Sequence, residues 1–379
     1  MINEIPATYM RGGTSKGVFF LERDLPTDIG QRDALLLRVV GSPDPYERQT
    51  DGMGGATAST SKVVMVGPSR RDDCDVDYYF GAVSITEPVI DYSGNCGNLM
   101  AAVGPFAIAS GLVTVTEPLT CVRIWQRNLG QRIDAWVPVS DGRPIESGVF
   151  QEDGVPFPSS EVRLELYEPE PGSQALPMLP TGQVSETLSV PGVGEFTTTL
   201  INSGKPTTFL IGEELGLCGR ETPADVNSNR KLLNRLEQIR AAAAVRMGLA
   251  ETPELATSQR PDIPKLSWVA PPANYRNSGG RDVLAANIDV LARIMTMGRL
   301  HDAYTVTGSV ALAAAAALPG SVVNKITRAL PGVATRIGHV SGTLSVGAQL
   351  TREGEVWRLE KAMLSRSARR LMSGVVHVA

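Results

Sequence analysis

Asp91-Tyr92-Ser93-Gly94-Asn95-Cys96-Gly97-Asn98 runs directly into Leu99–Ala109, an apolar segment without one charged residue. A helix that is apolar all round belongs in a core rather than on a surface. The stretch therefore predicts a buried helix with Cys96 at its N-terminus. Gly104-Pro105 falls inside the run, where a proline is expected to kink the helix or end it early.

The first turn of a helix carries unpaired N–H groups and the positive end of the dipole, which together hold anions and favour thiolate over thiol. Gly94 and Gly97 let backbone approach a ligand with no side chain in the way. A structural cysteine at a tight turn is the competing reading of the same residues.

The chain has 379 residues, long enough for two domains with a sizeable core in each. With 36 basic and 40 acidic residues it has no basic excess for nucleic acid. No apolar run approaches the roughly 18 residues of a membrane span, and no signal peptide is read at Met1–Phe20, so the expected setting is a reducing cytoplasm without membrane attachment. Cys74, Cys96, Cys121 and Cys218 lack CxxC spacing, and no nucleotide fingerprint is present, so neither metal nor organic cofactor is expected.

Short Val/Ile/Thr-rich runs between turn residues favour many strands and an antiparallel-rich architecture. Examples are Val63–Val66, Val76–Val83, Val122–Trp125, Ile133–Val139 and Val162–Tyr167, then Phe196–Ile201 and Thr207–Ile211. Breakers such as Pro169-Glu170-Pro171-Gly172 place the domain crossover near Thr187, dividing the chain into 1–187 and 188–379. Thr222–Leu249 reads as one surface helix.

Met10-Arg11-Gly12-Gly13-Thr14-Ser15-Lys16-Gly17 brings two cations, two hydroxyls and three glycines together ahead of Val18–Phe20, a composition suited to holding a carboxylate. It lacks Walker spacing. Lys62 stands where a loop of small residues meets the strand Val63–Val66, and partial desolvation there is the usual route to a lysine base. In the second half, His301-Asp302-Ala303-Tyr304-Thr305-Val306-Thr307-Gly308-Ser309 leads into the charge-free run Val310–Leu318. This repeats the layout around Cys96 and points to an internal duplication with Ser309 in the place of Cys96. Two such helix N-termini would form an anion trap for a polycarboxylate. His301 and His339 are more often structural at such turns.

Five ordered motifs carry a resemblance: MRGGTSKG, DGMGGATASTSK, DYSGNCGN, GHVSGTLSVGA at Gly338–Ala348, and LSRSARRLMSG at Leu364–Gly374. Together, from about Pro6 to Val376, the chain resembles the methylaconitate isomerase family of propionate catabolism, whose relatives include oxalomesaconate tautomerases, methylitaconate isomerase and aconitate isomerases. The resemblance implies an α+β, diaminopimelate-epimerase-like fold: two similar domains, each a β-barrel-like, antiparallel-rich sheet wrapped around a central helix, with the site between them. The basic stretch Ser365-Arg366-Ser367-Ala368-Arg369 reads either as a binding element or as the return of the last strand to the first domain. It implies catalytic roles for Lys62 and Cys96. Ser309 falls where epimerases and racemases of the wider superfamily have a second cysteine, which argues against a two-thiol racemase.

The implied reaction is cofactor-independent isomerisation of an unsaturated tricarboxylate. A base removes a proton beside a double bond and a carboxylate, and a proton returns at the far carbon or after rotation. Lys62 is the expected base, with Cys96 as opposing acid or as a group positioning the reacting carbon. Arg11, Ser15 and Lys16 are expected to stabilise the developing charge, and Asn95, Gly97, Asn98, Ser278, Thr307, Gly308 and Ser309 to bind carboxylates. A homodimer and a functional link to an aconitase-like dehydratase are compatible with this reading. The alternatives are an oxalomesaconate tautomerase, an aconitate isomerase, an amino-acid racemase and a non-catalytic accessory of such a dehydratase.

Overall fold

The computed structural model describes residues 3–92, 94–167, 176–330 and 332–378. Ser93 and the breaker at 169–172 lie outside them. The chain forms two compact units, Met1–Glu170 with Ser365–Ala379, and Pro171–Leu364. Thr187, the expected crossover, lies inside the second unit, paired with Thr197 in the hairpin of Glu186–Val190 with Gly194–Ser203. A crossover near Thr187 is too late because this polar strand, with only two buried residues, has too faint a pattern to read as an element.

In the first unit, Ser15–Leu21 pairs antiparallel with Asn3–Gly12 and parallel with Lys62–Pro68. Val76–Val83 follows antiparallel, Leu119–Gln126 parallel to it, and then Gln131–Ser140 and Glu161–Tyr167 antiparallel. The last strand, Val356–Val378, pairs with Asn3–Gly12 and also with Glu161–Tyr167, which closes the sheet on itself.

Strand alternation gives this sheet two apolar faces. Val18, Phe20, Val63 and Met65 face outward onto Leu36, Val39 and Val40 of the helix Ile29–Val40. Phe19 faces inward, its ring centroid 5.4 Å from that of Phe106. Phe106 belongs to the enclosed helix Met100–Ala109, buried at every position from Met100 to Ile108.

Pro105 does not end this helix early; the helix runs on to Ala109. An interior proline costs about 3 kcal/mol. Burying side chains such as Val103, Phe106 and Ile108 contributes roughly 1.5–3 kcal/mol each, so packing outweighs the lost hydrogen bond. A β-carbon on Gly104 would stand 2.8 Å from Val137 Cγ2 and 3.1 Å from Ala135 Cβ, so the helix lies directly on the strand Gln131–Ser140.

In the second unit, Gly194–Ser203 and Lys205–Ile211 form a hairpin, and the sheet continues through Lys265–Ala270, Val290–Thr296, Thr335–His339 and Gly342–Glu353 to the start of the last strand. Its enclosed helix is Val306–Ala317, packed against Gly194–Ser203, Lys205–Ile211 and Gly342–Glu353. It starts four residues before Val310 because Thr305 caps it, its Oγ1 accepting the Gly308 N–H at 3.1 Å. The expected single helix Thr222–Leu249 is two: Pro223–Asn227, then Arg230–Arg246, restarted by Asn229, whose side chain accepts the Leu232 N–H. Among the described residues no helix is long and apolar enough to cross a membrane.

Candidate active site

Three glycines of the first hairpin set the position of Cys96. A β-carbon on Gly12 would stand 2.5 Å from the Asn98 carbonyl oxygen, and one on Gly17 would stand 2.9 Å from Leu99 Cδ1. Gly13, at φ +50°, lies equally close to the Asn98 side chain. The glycines therefore act by letting the Cys96 loop lie flat on the hairpin. On the other side of the loop, Asn128 Nδ2 donates to the Tyr92 and Phe80 carbonyls at 2.7 and 2.9 Å, and the Tyr92 ring stacks on Tyr79 with centroids 4.8 Å apart.

Cys96 precedes the helix by one turn, its carbonyl accepting the Met100 N–H at 3.1 Å. Its side chain is met by a lysine amine. Lys62 Nζ donates to Cys96 Sγ at 3.0 Å and to Ser15 Oγ at 3.2 Å, and lies 5.7 Å from the Phe80 ring centroid. Asn98 Nδ2 donates to Thr14 Oγ1 at 3.0 Å and Ser15 Oγ at 3.4 Å. Lys62 is half-buried, while Cys96 and Ser15 are buried. Among the described residues no carboxylate pairs with Lys62.

Two buried polar atoms lie beside this cluster. Tyr78 is wholly buried on the inner face with Lys62 and Phe80, its hydroxyl next to Cys96, and burial holds its pKa well above the ordinary phenol value. The other is Asn95 Oδ1; the Nδ2 of the same amide donates to Met100 Sδ at 3.1 Å. Next along, Gly94 borders open space, with nothing within 4 Å of a β-carbon built there, and Gly97 is part-buried in the turn.

Lys62, Cys96, Ser15, Asn95, Gly97 and Asn98 thus come together. Arg11 and Lys16 do not join them. They pair across the hairpin on the face opposite Ser15, because neighbouring strand residues point to opposite sides. Arg11 donates to the Gly13 carbonyl and to both oxygens of Ser367, while Lys16 Nζ sits 5.5 Å from the Tyr9 ring centroid. The expected convergence of both cations on one anion with Ser15 is corrected accordingly.

In the second unit, Ser309 does not occupy the position that Cys96 has in the first. It lies inside the helix, wholly buried, with Oγ donating to the Val306 carbonyl at 2.8 Å. By the register of the first helical bond the counterpart of Cys96 is Thr305, whose carbonyl accepts the Ser309 N–H at 2.8 Å. The Gly308 N–H is taken by Thr305, the Thr307 hydroxyl has no hydrogen bond among the described residues, and Ser278 is exposed, its N–H on the Val340 carbonyl. His301 Nδ1 accepts the Ala303 N–H within its own turn.

Residue reading passed over Tyr78, Asn128 and Thr305, and counted the Thr14 hydroxyl without singling it out. Tyr78 had a signal, since it alternates with Val76 and Phe80 on the buried side of its strand. Asn128 and Thr14 are fixed by contacts far apart in sequence, whereas Thr305 is set locally as the cap of its helix. An amine touching a thiol, backed by a hydroxyl and an amide, can take up and return protons at one place and needs no metal for that step. Among the described residues no group of His, Cys, Asp and Glu is placed to hold a metal ion.

A family model described as PrpF protein matches residues 2–379. The 2-methyl-aconitate isomerase of Shewanella oneidensis is 50% identical over 386 aligned positions, covering 99% of this chain and 97% of that one. A crystal structure of methylitaconate-delta-isomerase superposes with a TM-score of 0.91 at 38% identity, covering 100% of this chain and 96% of that one. A hydroxyproline epimerase from Agrobacterium vitis shares the fold alone, with a TM-score of 0.52 at 15% identity over 99% and 92% of the two chains.

Proposed function

The chain belongs to the PrpF family, and from that premise we propose that this isomerase acts on an unsaturated tricarboxylate of the 2-methylaconitate type, with Lys62 as the base. The observation that carries the reading is the Lys62 Nζ to Cys96 Sγ contact of 3.0 Å, in a chain half identical to a protein named for that reaction.

The chemistry needs a C–H made acidic by a neighbouring double bond and carboxylate. Its removal spreads charge over the allyl-carboxylate system, and reprotonation at another carbon, or after rotation, gives the isomer. The 3.0 Å contact leaves no room for a substrate carbon between Lys62 and Cys96. Cys96 therefore acts beside the base on the same face of the substrate, exchanging a proton with it or holding it in place. Ser15 and Asn98 supply hydrogen bonds to the same cluster, and such fixed donors favour the charged intermediate.

The test is incubation with cis and trans 2-methylaconitate, aconitate, oxalomesaconate and methylitaconate in deuterated water, followed by NMR. Interconversion of the methylaconitates with deuterium at the reacting carbon is the expected result. Rearrangement of another acid at a far higher kcat/KM reassigns the substrate, and racemisation of an amino acid with none of these acids consumed overturns the reading.

A further inference from the structure

We propose that Lys62 and Cys96 are a modification site: on oxidation they join covalently through a sulfenamide bond between Cys96 Sγ and Lys62 Nζ.

A sulfenic acid is consumed by the nucleophile nearest to it, usually a second thiol and in some proteins a nitrogen. Here the nearest nucleophile is an amine, with Nζ at 3.0 Å from Sγ. All four cysteines are free. Burial pushes Cys74 and Cys121 up to about 11, which keeps them as thiols. Cys218 is exposed, and its backbone N–H bonds the Glu221 carboxylate. The wholly buried Tyr78 hydroxyl is the other polar group beside Cys96, and as a phenol it offers no competing nitrogen or thiol nucleophile.

The steps balance with a peroxide as oxidant. The Lys62 amine takes the Cys96 thiol proton, the thiolate attacks one peroxide oxygen, the O–O bond breaks, sulfur loses two electrons to the peroxide, and hydroxide leaves. That hydroxide takes a proton from the Lys62 ammonium and becomes water. The neutral amine then attacks sulfur, the S–O bond breaks, and the departing hydroxide takes one of the two protons on nitrogen as a second water, leaving one N–H on the S–N bond. Thiol, amine and hydrogen peroxide thus give one S–N bond and two waters. A small thiol reverses it by attacking sulfur and releasing the amine, and a second thiol then frees Cys96. While the bond stands, neither group can move a proton, and further oxidation of the cysteine is blocked.

The experiment treats the full chain with an equimolar amount of hydrogen peroxide and reads intact mass and a peptide map, neither of which depends on knowing the substrate. The expected product has lost two hydrogens, about 2 Da, contains a cross-linked peptide pair spanning residues 62 and 96, and reverts with dithiothreitol. Isomerisation falls and recovers in step. Cys218→Ser should cross-link as wild type does. Lys62→Arg should instead gain about 16 or 32 Da on Cys96. Reductive methylation of folded wild-type protein tests the same point without a substitution, because a tertiary amine cannot form the neutral product. Oxygen on wild-type Cys96 without a cross-link overturns the proposal, and so does a cross-link that retains an oxygen atom. If the cross-link forms but no tested acid isomerises, the modification stands and the substrate assignment fails.

Discussion

Gly12 and Asn98 are in backbone contact: a β-carbon on Gly12 would stand 2.5 Å from the Asn98 carbonyl oxygen and 2.9 Å from Leu99 Cα. The hairpin and the Cys96 loop are thereby held at one separation, and that separation sets the reach of Lys62 to Cys96.

Gly12→Ala should consequently push the loop away. Overpacking typically costs about 1–3 kcal/mol, and a shift of under an ångström at reacting groups is expected to lower kcat about 10- to 100-fold. Gly374, with nothing within 4 Å of its would-be β-carbon, is the control; Gly374→Ala should leave both Tm and kcat near wild type. Equal effects of the two substitutions on kcat would remove the contact from the argument.

Lys62→Met should abolish isomerisation and wash-in of solvent deuterium, since removing a base costs at least about 10²- to 10⁴-fold. Cys96→Ser keeps a hydroxyl next to the Lys62 amine, and slow exchange at one carbon should persist. A Lys62→Met protein that exchanges deuterium at near wild-type rate, beside an inert Cys96→Ser protein, would exchange the two roles.

Strand alternation separates Ser15 from Lys16. Ser15→Ala removes the hydroxyl at 3.2 Å from Lys62 and should lower kcat by about tenfold, the scale of one hydrogen bond of about 1.4 kcal/mol. Lys16→Ala, on the opposite face, should change kcat less than threefold. Ser309→Ala, whose hydroxyl is spent on the Val306 carbonyl, should do the same. Kinetics on the three purified variants decide it; a Lys16→Ala loss larger than that of Ser15→Ala would contradict the register.

Cys74 and Cys121 titrate above their ordinary value of 9, at about 11, chiefly because burial disfavours the thiolate. A raised folded-state pKa means that the folded chain holds these protons longer than the unfolded one. The resulting stability is fully present below pH 9 and is lost as pH rises through 11. Urea midpoints measured between pH 8 and 11 should fall for the wild type and fall less steeply for a Cys74→Ala, Cys121→Ala double variant. Parallel slopes would place the alkaline sensitivity in other groups.

The apolar run after Cys96 determined by itself that one helix would be enclosed, since a segment without a polar face has no stable place in water. Val76–Val83 was legible from its residues alone, ending where the strand ends, because hydrophobic alternation is a local property. The motifs around Lys62 and Cys96 identified two residues 34 positions apart in sequence that the fold brings into contact. Other features depended on contacts that no local pattern encodes. Pro105 stays helical because its neighbours are buried on all sides. Ser15 and Lys16 part company because the hairpin register sends adjacent residues to opposite faces. Ser309 is withdrawn from its expected place because Thr305 starts the helix earlier. Spacing along a chain ranks which side chains are chemically capable, whereas only the packed sheet decides which of them share a face and touch.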